Sequence, residues 1–167
     1  MATTEFNGTS IQTAGDLPSV GTQLPPFVLT GADLGDVTSA SLEGRRVVFN
    51  IFPSIDTSVC ATSVRQFNQR AASLPNTTVV CASNDLPFAL GRFCAAEGIE
   101  NVVTASAFRS SFGDDYGVLM VDGPLEGLLA RAIVIADAQG TVRYVELVPS
   151  IAQEPDYDAA VAAVQAA

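Results

Sequence analysis

Cys60, Cys81 and Cys94 are the side chains of this sequence best suited to redox or nucleophilic chemistry. A thiolate is a strong nucleophile and passes through reversible oxidation states. The usual activators are missing, because the 167 residues include no histidine and no lysine. A Ser-His-Asp triad, a Cys-His dyad and a histidine-ligated metal or haem therefore cannot be built from this chain. Separations of 21 and 13 residues leave no C-x-x-C, so neither a thioredoxin-type dithiol motif nor a zinc ribbon is present. An odd cysteine count argues against a framework of structural disulfides. At least one thiol is left for burial or chemistry.

Cys60 stands where a helix is expected to begin. "NIFPSIDTSVCATSVRQF" (Asn50 to Phe67) runs from an apolar strand-like stretch through Pro53 into a helical pattern. Asp56, Thr57 and Ser58 are all good N-cap residues, which puts Cys60 in the first helical turn whichever of them caps it. Free backbone N–H groups and the positive end of the helix dipole favour a thiolate there. Moving a thiol from about 8.5 to about 6 takes roughly 3.4 kcal/mol, at about 1.36 per pKa unit. A helix terminus supplies about 0.3–1 kcal/mol and at best about 2. A cation close by is required, and it has to be one of the eight arginines. Arg131 is singled out by pattern: it opens "ARAIVIA" after the turn-rich "DGPLEG", at a strand start. The other arginines stay open on this ground alone.

Complete ionisation gains only about 30-fold in nucleophile concentration at neutral pH. Anything faster has to come from binding the transition state. A thiolate attacking a peroxide O–O bond pushes negative charge onto the leaving oxygen, which an arginine guanidinium, a threonine hydroxyl and backbone N–H groups would stabilise. Thr57, three residues before Cys60, offers a hydroxyl, and Pro53 can wall off water.

The elements that must position these groups follow from periodicity. Asn7-Gly8 between apolar residues signals a short N-terminal hairpin, and "LPPFVLTGADLGDVT" reads as loop, short strand and turn. "RRVVFNIF" (Arg45 to Phe52) and "TTVVCAS" (Thr77 to Ser83) are near-continuous apolar strands, the mark of burial on both faces. Helices are expected over Ser58 to Leu74 and Leu86 to Gly98, the latter with Pro87 in its first turn and Gly98 as its stop. "NVVTASAF" is a further strand, and a short helical segment lies around "SFGDDYGVLM". "ARAIVIAD" and "TVRYVELV" flank Ala138-Gln139-Gly140 as an antiparallel hairpin, and "DYDAAVAAVQ" closes as a helix. Strands alternating with helices and then a hairpin describe an α/β protein with a mixed sheet, in one domain over 1–167.

A formal charge of −10 and a pI near 4.1 exclude the clustered basic surface that nucleic acid or anionic lipid requires. No apolar run approaches the roughly 18 residues of a membrane span, and "MATTEFNGTS" lacks the regions of a secretory signal, so the expected compartment is the cytoplasm.

"PSIDTSVC" (Pro53 to Cys60) contains the P-x-x-x-T-x-x-C motif of the peroxiredoxins. Together with "DLPFALGRFC", "ARAIVIAD" and "EPDYDAAVAAV", in that order, it resembles the thiol peroxidase branch of that family over nearly the whole chain from about Phe6. The resemblance implies a thioredoxin-like fold, a central mixed β-sheet flanked by helices with an N-terminal β-hairpin. It implies that Cys60 is the peroxidatic cysteine, oxidised by hydrogen peroxide or an organic hydroperoxide to a sulfenic acid. Cys94 would resolve this as an intramolecular disulfide, which thioredoxin would reduce. Pro53, Thr57 and Arg131 match the family's other active-site positions. A homodimer, and no metal, haem or flavin, are further implications. Because Cys60 begins one helix while Cys94 lies in the third turn of another, closing that disulfide is expected to need partial unwinding of both.

Plainer readings exist for each residue. Cys81, inside "TTVVCAS", reads as an inert core thiol with no catalytic role. By spacing with Leu90 and Phe93, Cys94 belongs to a half-buried helix face and would be packing. Thr57 could act only as a cap, and Arg131 could merely pair with a carboxylate. Asp114, Asp115 and "EPDYD" read as solvated surface, and Phe108 and Phe112 are candidates for a substrate-pocket wall. Two other functions compete with a peroxidase: a redox relay that hands its oxidising equivalents to a partner protein, and a thioredoxin-fold interaction module with inert thiols.

Overall fold

Asn7 and Gly8 both adopt positive φ, 52° and 83°, as the tight turn of a two-residue hairpin demands. They join β1 (Thr3–Phe6) to β2 (Thr9–Gln12) in a two-stranded antiparallel sheet. The computed structural model describes residues 1–167 throughout. After the hairpin come β3 (Val28–Gly31), β4 (Asp36–Thr38), β5 (Arg46–Ile51), α1 (Ser58–Ala71), β6 (Thr77–Ser83), α2 (Pro87–Glu97) and β7 (Val103–Ser106). The short α3 (Phe112–Asp115), β8 (Ala132–Ala136), β9 (Val142–Leu147) and α4 (Tyr157–Ala166) complete the chain.

Seven of these strands form one mixed sheet in the order β4-β3-β7-β6-β5-β8-β9. β5 lies parallel to β6 and antiparallel to β8, which makes it the strand from which the site is built. Its side chains alternate between the two faces, so Val47, Phe49 and Ile51 enter one core and Val48 the other. The first core packs the sheet against Phe27, Phe112, Tyr116 and Leu129. The second packs it under α1, α2 and α4 through Val64, Phe67, Leu90, Phe93, Ala160 and Val164. Burial on both faces explains the near-continuous apolar runs of β5 and β6. This is the expected thioredoxin-like α/β arrangement, with a central mixed sheet, flanking helices and a separate N-terminal hairpin. No helix is long and apolar enough to cross a membrane.

Most helix limits follow their local signals. Gly98 closes α2 in the left-handed conformation at φ 65°, and the Asp156 side chain caps α4 by accepting from the Ala159 N–H at 2.9 Å. One limit needs correction, because α1 stops at Ala71 and not at Leu74. Ser73 and Leu74 donate three residues back, to Arg70 and Ala71, which tightens the chain into turns ahead of Pro75. A residue before proline is pushed out of the α region, so the helix cannot run up to it. "DVT" forms β4 on the sheet edge, where the sequence pattern shows only a turn.

Candidate active site

β5 ends where the Phe52 N–H donates to the Ala82 carbonyl at 3.1 Å, and Pro53, which is buried, turns the chain out of the sheet. The Asp85 carboxylate, just beyond β6, holds the following loop. It accepts from the Ser54 hydroxyl at 2.9 Å, the Ile55 N–H at 2.7 Å and the Ser83 hydroxyl at 2.6 Å. Three donors on one carboxylate fix the entry angle of α1 more firmly than a proline turn could. Asp85 carries no motif, and its position after β6 is the only hint the sequence holds.

Thr57 is the N-cap of α1, in extended conformation, but its side chain makes no capping bond. Its hydroxyl instead donates to the Ser54 carbonyl at 2.9 Å, and its carbonyl accepts from the Ala61 N–H at 3.0 Å. Cys60 is therefore the third helical residue, in the first turn. The N–H groups of that turn have no acceptor within the helix. The Thr57 oxygen keeps lone pairs free to accept a further hydrogen bond.

Arg131 directly precedes β8 and is 1% exposed, the largest fully buried side chain of the protein. Its Nη2 donates to Cys60 Sγ at 3.2 Å. Nε and Nη2 also donate to the Ile151 carbonyl at 3.0 and 2.8 Å, and Nη1 has no partner. No carboxylate pairs with it, which removes the plain ion-pair reading. A buried guanidinium with one satisfied edge and one idle nitrogen is costly unless something occupies the idle side.

A cavity of about 180 Å³ adjoins this guanidinium. Pro53, Thr57, Val59 and Arg131 line one side, and Phe6 and Leu128 are among the apolar residues of its wall. Cys60 is fully buried and does not itself line the cavity; it meets the lining through Arg131. Phe108 and Phe112 are not part of it, contrary to expectation. Phe112 is core, stacked on Tyr116 with ring centroids 4.2 Å apart, and Phe108 is exposed beyond β7. The wall comes from the N-terminal hairpin and the segment before β8, which no local pattern brings together. A larger cavity of about 620 Å³ lies at the far end of β5, between Leu24, Phe27, Arg45 and Asp137, and no cysteine borders it.

The other two thiols sit differently. All three are free. Cys94, on α2, is half-buried with Sγ 3.6 Å from the Thr104 hydroxyl. Burial pushes its thiol above the ordinary range, and the Thr104 hydrogen bond partly opposes this. Cys81 is wholly enclosed in β6, 3.7 Å from the Asn50 amide, and burial pushes it up to about 12 despite that contact. The same Asn50 amide donates to the Ser63 hydroxyl at 3.2 Å, which donates to the Cys60 carbonyl at 2.7 Å. The structure thus brings Pro53, Thr57, Cys60 and Arg131 to one place and leaves Cys94 on a separate helix.

Residues 19–161 match the Redoxin family model. A thiol peroxidase of Corynebacterium glutamicum is 58% identical over 164 residues, 98% of this chain and 99% of that protein. One of Mycobacterium tuberculosis is 60% identical over 166 residues, 99% of this chain and all of that protein. Among solved structures, a peroxiredoxin-like protein from Aquifex aeolicus superposes with a TM-score of 0.94 at 38% identity, covering 99% of this chain and 97% of that one. The fold and the site define a thioredoxin-like redox enzyme of the peroxiredoxin type. The chain belongs to the redoxin family, and within it to the thiol peroxidases.

Proposed function

We propose that Cys60 carries the peroxidase chemistry of this chain and that Cys94 completes it in a two-cysteine cycle. The Cys60 thiolate forms a bond to one peroxide oxygen while the O–O bond breaks. The electron pair leaves on the second oxygen, which takes a proton and departs as water or an alcohol, and Cys60 becomes a sulfenic acid. The Arg131 guanidinium faces the charge that develops, the Thr57 oxygen accepts from the hydroperoxide O–H, and Pro53 shields the site from water. The observation that carries this reading is Arg131 Nη2 at 3.2 Å from Cys60 Sγ, with Nη1 buried and unpartnered beside a cavity. A helix terminus alone cannot supply the stabilisation, and this cation is the missing part.

The Cys94 thiolate then attacks the sulfenic sulfur, the S–O bond breaks, and hydroxide leaves as water while a Cys60–Cys94 disulfide forms. Both thiols reside in intact helices and each has another partner, so α1 and α2 must partly unwind for the sulfurs to meet. A dithiol protein of the thioredoxin type returns both to thiols. The whole chain acts as one domain, as a homodimer, in the cytoplasm, on hydrogen peroxide and organic hydroperoxides.

The test is stopped-flow reaction of the reduced protein with stoichiometric hydrogen peroxide, read by intact mass for wild type, Cys60→Ser, Cys81→Ser and Cys94→Ser. Fast loss of two hydrogens in wild type and Cys81→Ser, an oxygen adduct in Cys94→Ser and no fast reaction in Cys60→Ser support the cycle. Equal reactivity of Cys60→Ser would overturn it. Repeated turnover with thioredoxin and its reductase tests the recycling step.

A further inference from the structure

The N-terminal hairpin lies outside the stretch that matches the Redoxin model, which begins at residue 19, yet it reaches the reactive centre. It does so through the segment 148–151. The Thr4 side chain, 4% exposed, donates to the Val148 carbonyl at 3.0 Å and lies 3.3 Å from the Pro149 carbonyl. One residue on, the Ile151 N–H donates to the Glu5 carbonyl at 2.8 Å. The carbonyl of Ile151 is the acceptor for both Nε and Nη2 of Arg131. Val148 closes the loop by donating its N–H to the Arg131 carbonyl at 3.0 Å. Packing reinforces the same path, because Ile11 of β2 is fully buried in a small cluster with Ala130 and Ile151.

We infer that the hairpin positions Arg131: it holds segment 148–151 so that the Ile151 carbonyl locks one edge of the guanidinium and leaves the other facing the cavity. A guanidinium is a rigid planar fork, and a carbonyl that accepts from Nε and Nη2 together fixes its rotation about the side-chain axis. With that edge locked, Nη2 meets Cys60 Sγ and Nη1 stays idle for a peroxide oxygen. Without it, Cys60 Sγ is the one acceptor left to the guanidinium, and a single contact to one nitrogen does not fix its rotation. Thr4 and Ile151 thus act through Arg131 and touch no substrate. The inference rests on the proposed role of Arg131 in the reaction.

The experiment compares two second-order constants of the reduced protein at one pH, for hydrogen peroxide and for iodoacetamide, in Thr4→Val, Thr4→Ser and Arg131→Lys. Both reagents need the same thiolate, so its concentration cancels in their ratio, while only the peroxide has a leaving oxygen for the guanidinium to stabilise. Thr4→Val removes a hydroxyl at nearly constant volume, and the ratio of its peroxide constant to its iodoacetamide constant is expected to fall up to about tenfold. Thr4→Ser, which keeps the hydroxyl, is expected to retain the wild-type ratio. Ile11→Val, which loosens the hairpin by one methyl group, is expected to move the ratio the same way by less, and it decides the matter if Thr4→Val does not fold. An unchanged ratio in Thr4→Val and Ile11→Val, with a fall in Arg131→Lys, would overturn the positioning role and leave Arg131's own role standing. An unchanged ratio in Arg131→Lys would overturn both.

Discussion

Cys60 and Cys81 are equally inaccessible, and both belong to the core beneath α1, yet their surroundings differ in kind. The Cys60 sulfur meets, at 3.2 Å, a nitrogen of the guanidinium that itself lines a cavity. The Cys81 sulfur meets a neutral amide at 3.7 Å inside a β-strand, and that Asn50 amide lines neither cavity. Burial by itself favours the neutral thiol, and at Cys81 it pushes the thiol up to about 12. What separates a candidate nucleophile from packing here is therefore not exposure. It is whether a formal charge and room for a substrate share the buried space.

Exchange of the two thiols gives the widest separation. Cys60→Ser is expected to lower the peroxide constant by more than about a thousandfold, while Cys81→Ser stays within about twofold, as measured by stopped flow. Equal losses would dissolve the distinction. Removing the charge comes next: Arg131→Met is expected to cost about 10²–10³-fold in the same constant, the range seen when one fixed donor to a developing oxyanion is lost. Circular dichroism checks that the fold survives.

The Cys81 side of the comparison shows itself in alkali. Burial pushes this thiol up to about 12 in the folded protein, against about 9 in an unfolded chain. Stability from this group is complete below about pH 9 and falls by about 1.4 kcal/mol per pH unit from there to about 12. Denaturant titrations at pH 9, 10 and 11 should show that slope in wild type and a shallower one in Cys81→Ala, where Cys94, whose thiol burial also raises, still contributes. Above about pH 10, tyrosines such as Tyr116, which burial also pushes upward, add to the decline in both proteins.

The smallest expected effect concerns the link between the two regions. The Ser63 hydroxyl joins the Cys60 carbonyl to the Asn50 amide that also touches Cys81. Ser63→Ala leaves a buried amide hydrogen without its oxygen partner and should destabilise the protein by about 1–3 kcal/mol in denaturant titration. A change below about 0.5 kcal/mol would mean that the two sites are energetically separate.

Much of this was legible from residue order alone, and the boundary is physical. Three N-cap candidates before Cys60 put it in a first helical turn, and Thr57 takes the N-cap position, though its hydroxyl bonds back to Ser54 and makes no capping bond. Apolar runs in β5 and β6 marked strands buried on both faces, and Gly98 marked a helix stop. These are local matters, decided by neighbours a few residues apart through backbone geometry and steric preference. The contact of Arg131 with Cys60 spans 71 residues, and that of Thr4 with Val148 spans 144. Pattern singled out Arg131 as the cation for Cys60 while leaving the other arginines open, and it misplaced Phe108 and Phe112 at the pocket. Asp85 under the loop, Phe6 in the wall and the Ile151 carbonyl behind the guanidinium left no mark in the sequence pattern. A backbone carbonyl has the same chemistry in every residue, so only its tertiary position makes it an arginine clamp. Side-chain types and local periodicity set which chemistry was available to this chain; sheet order and chain closure decided which groups perform it together.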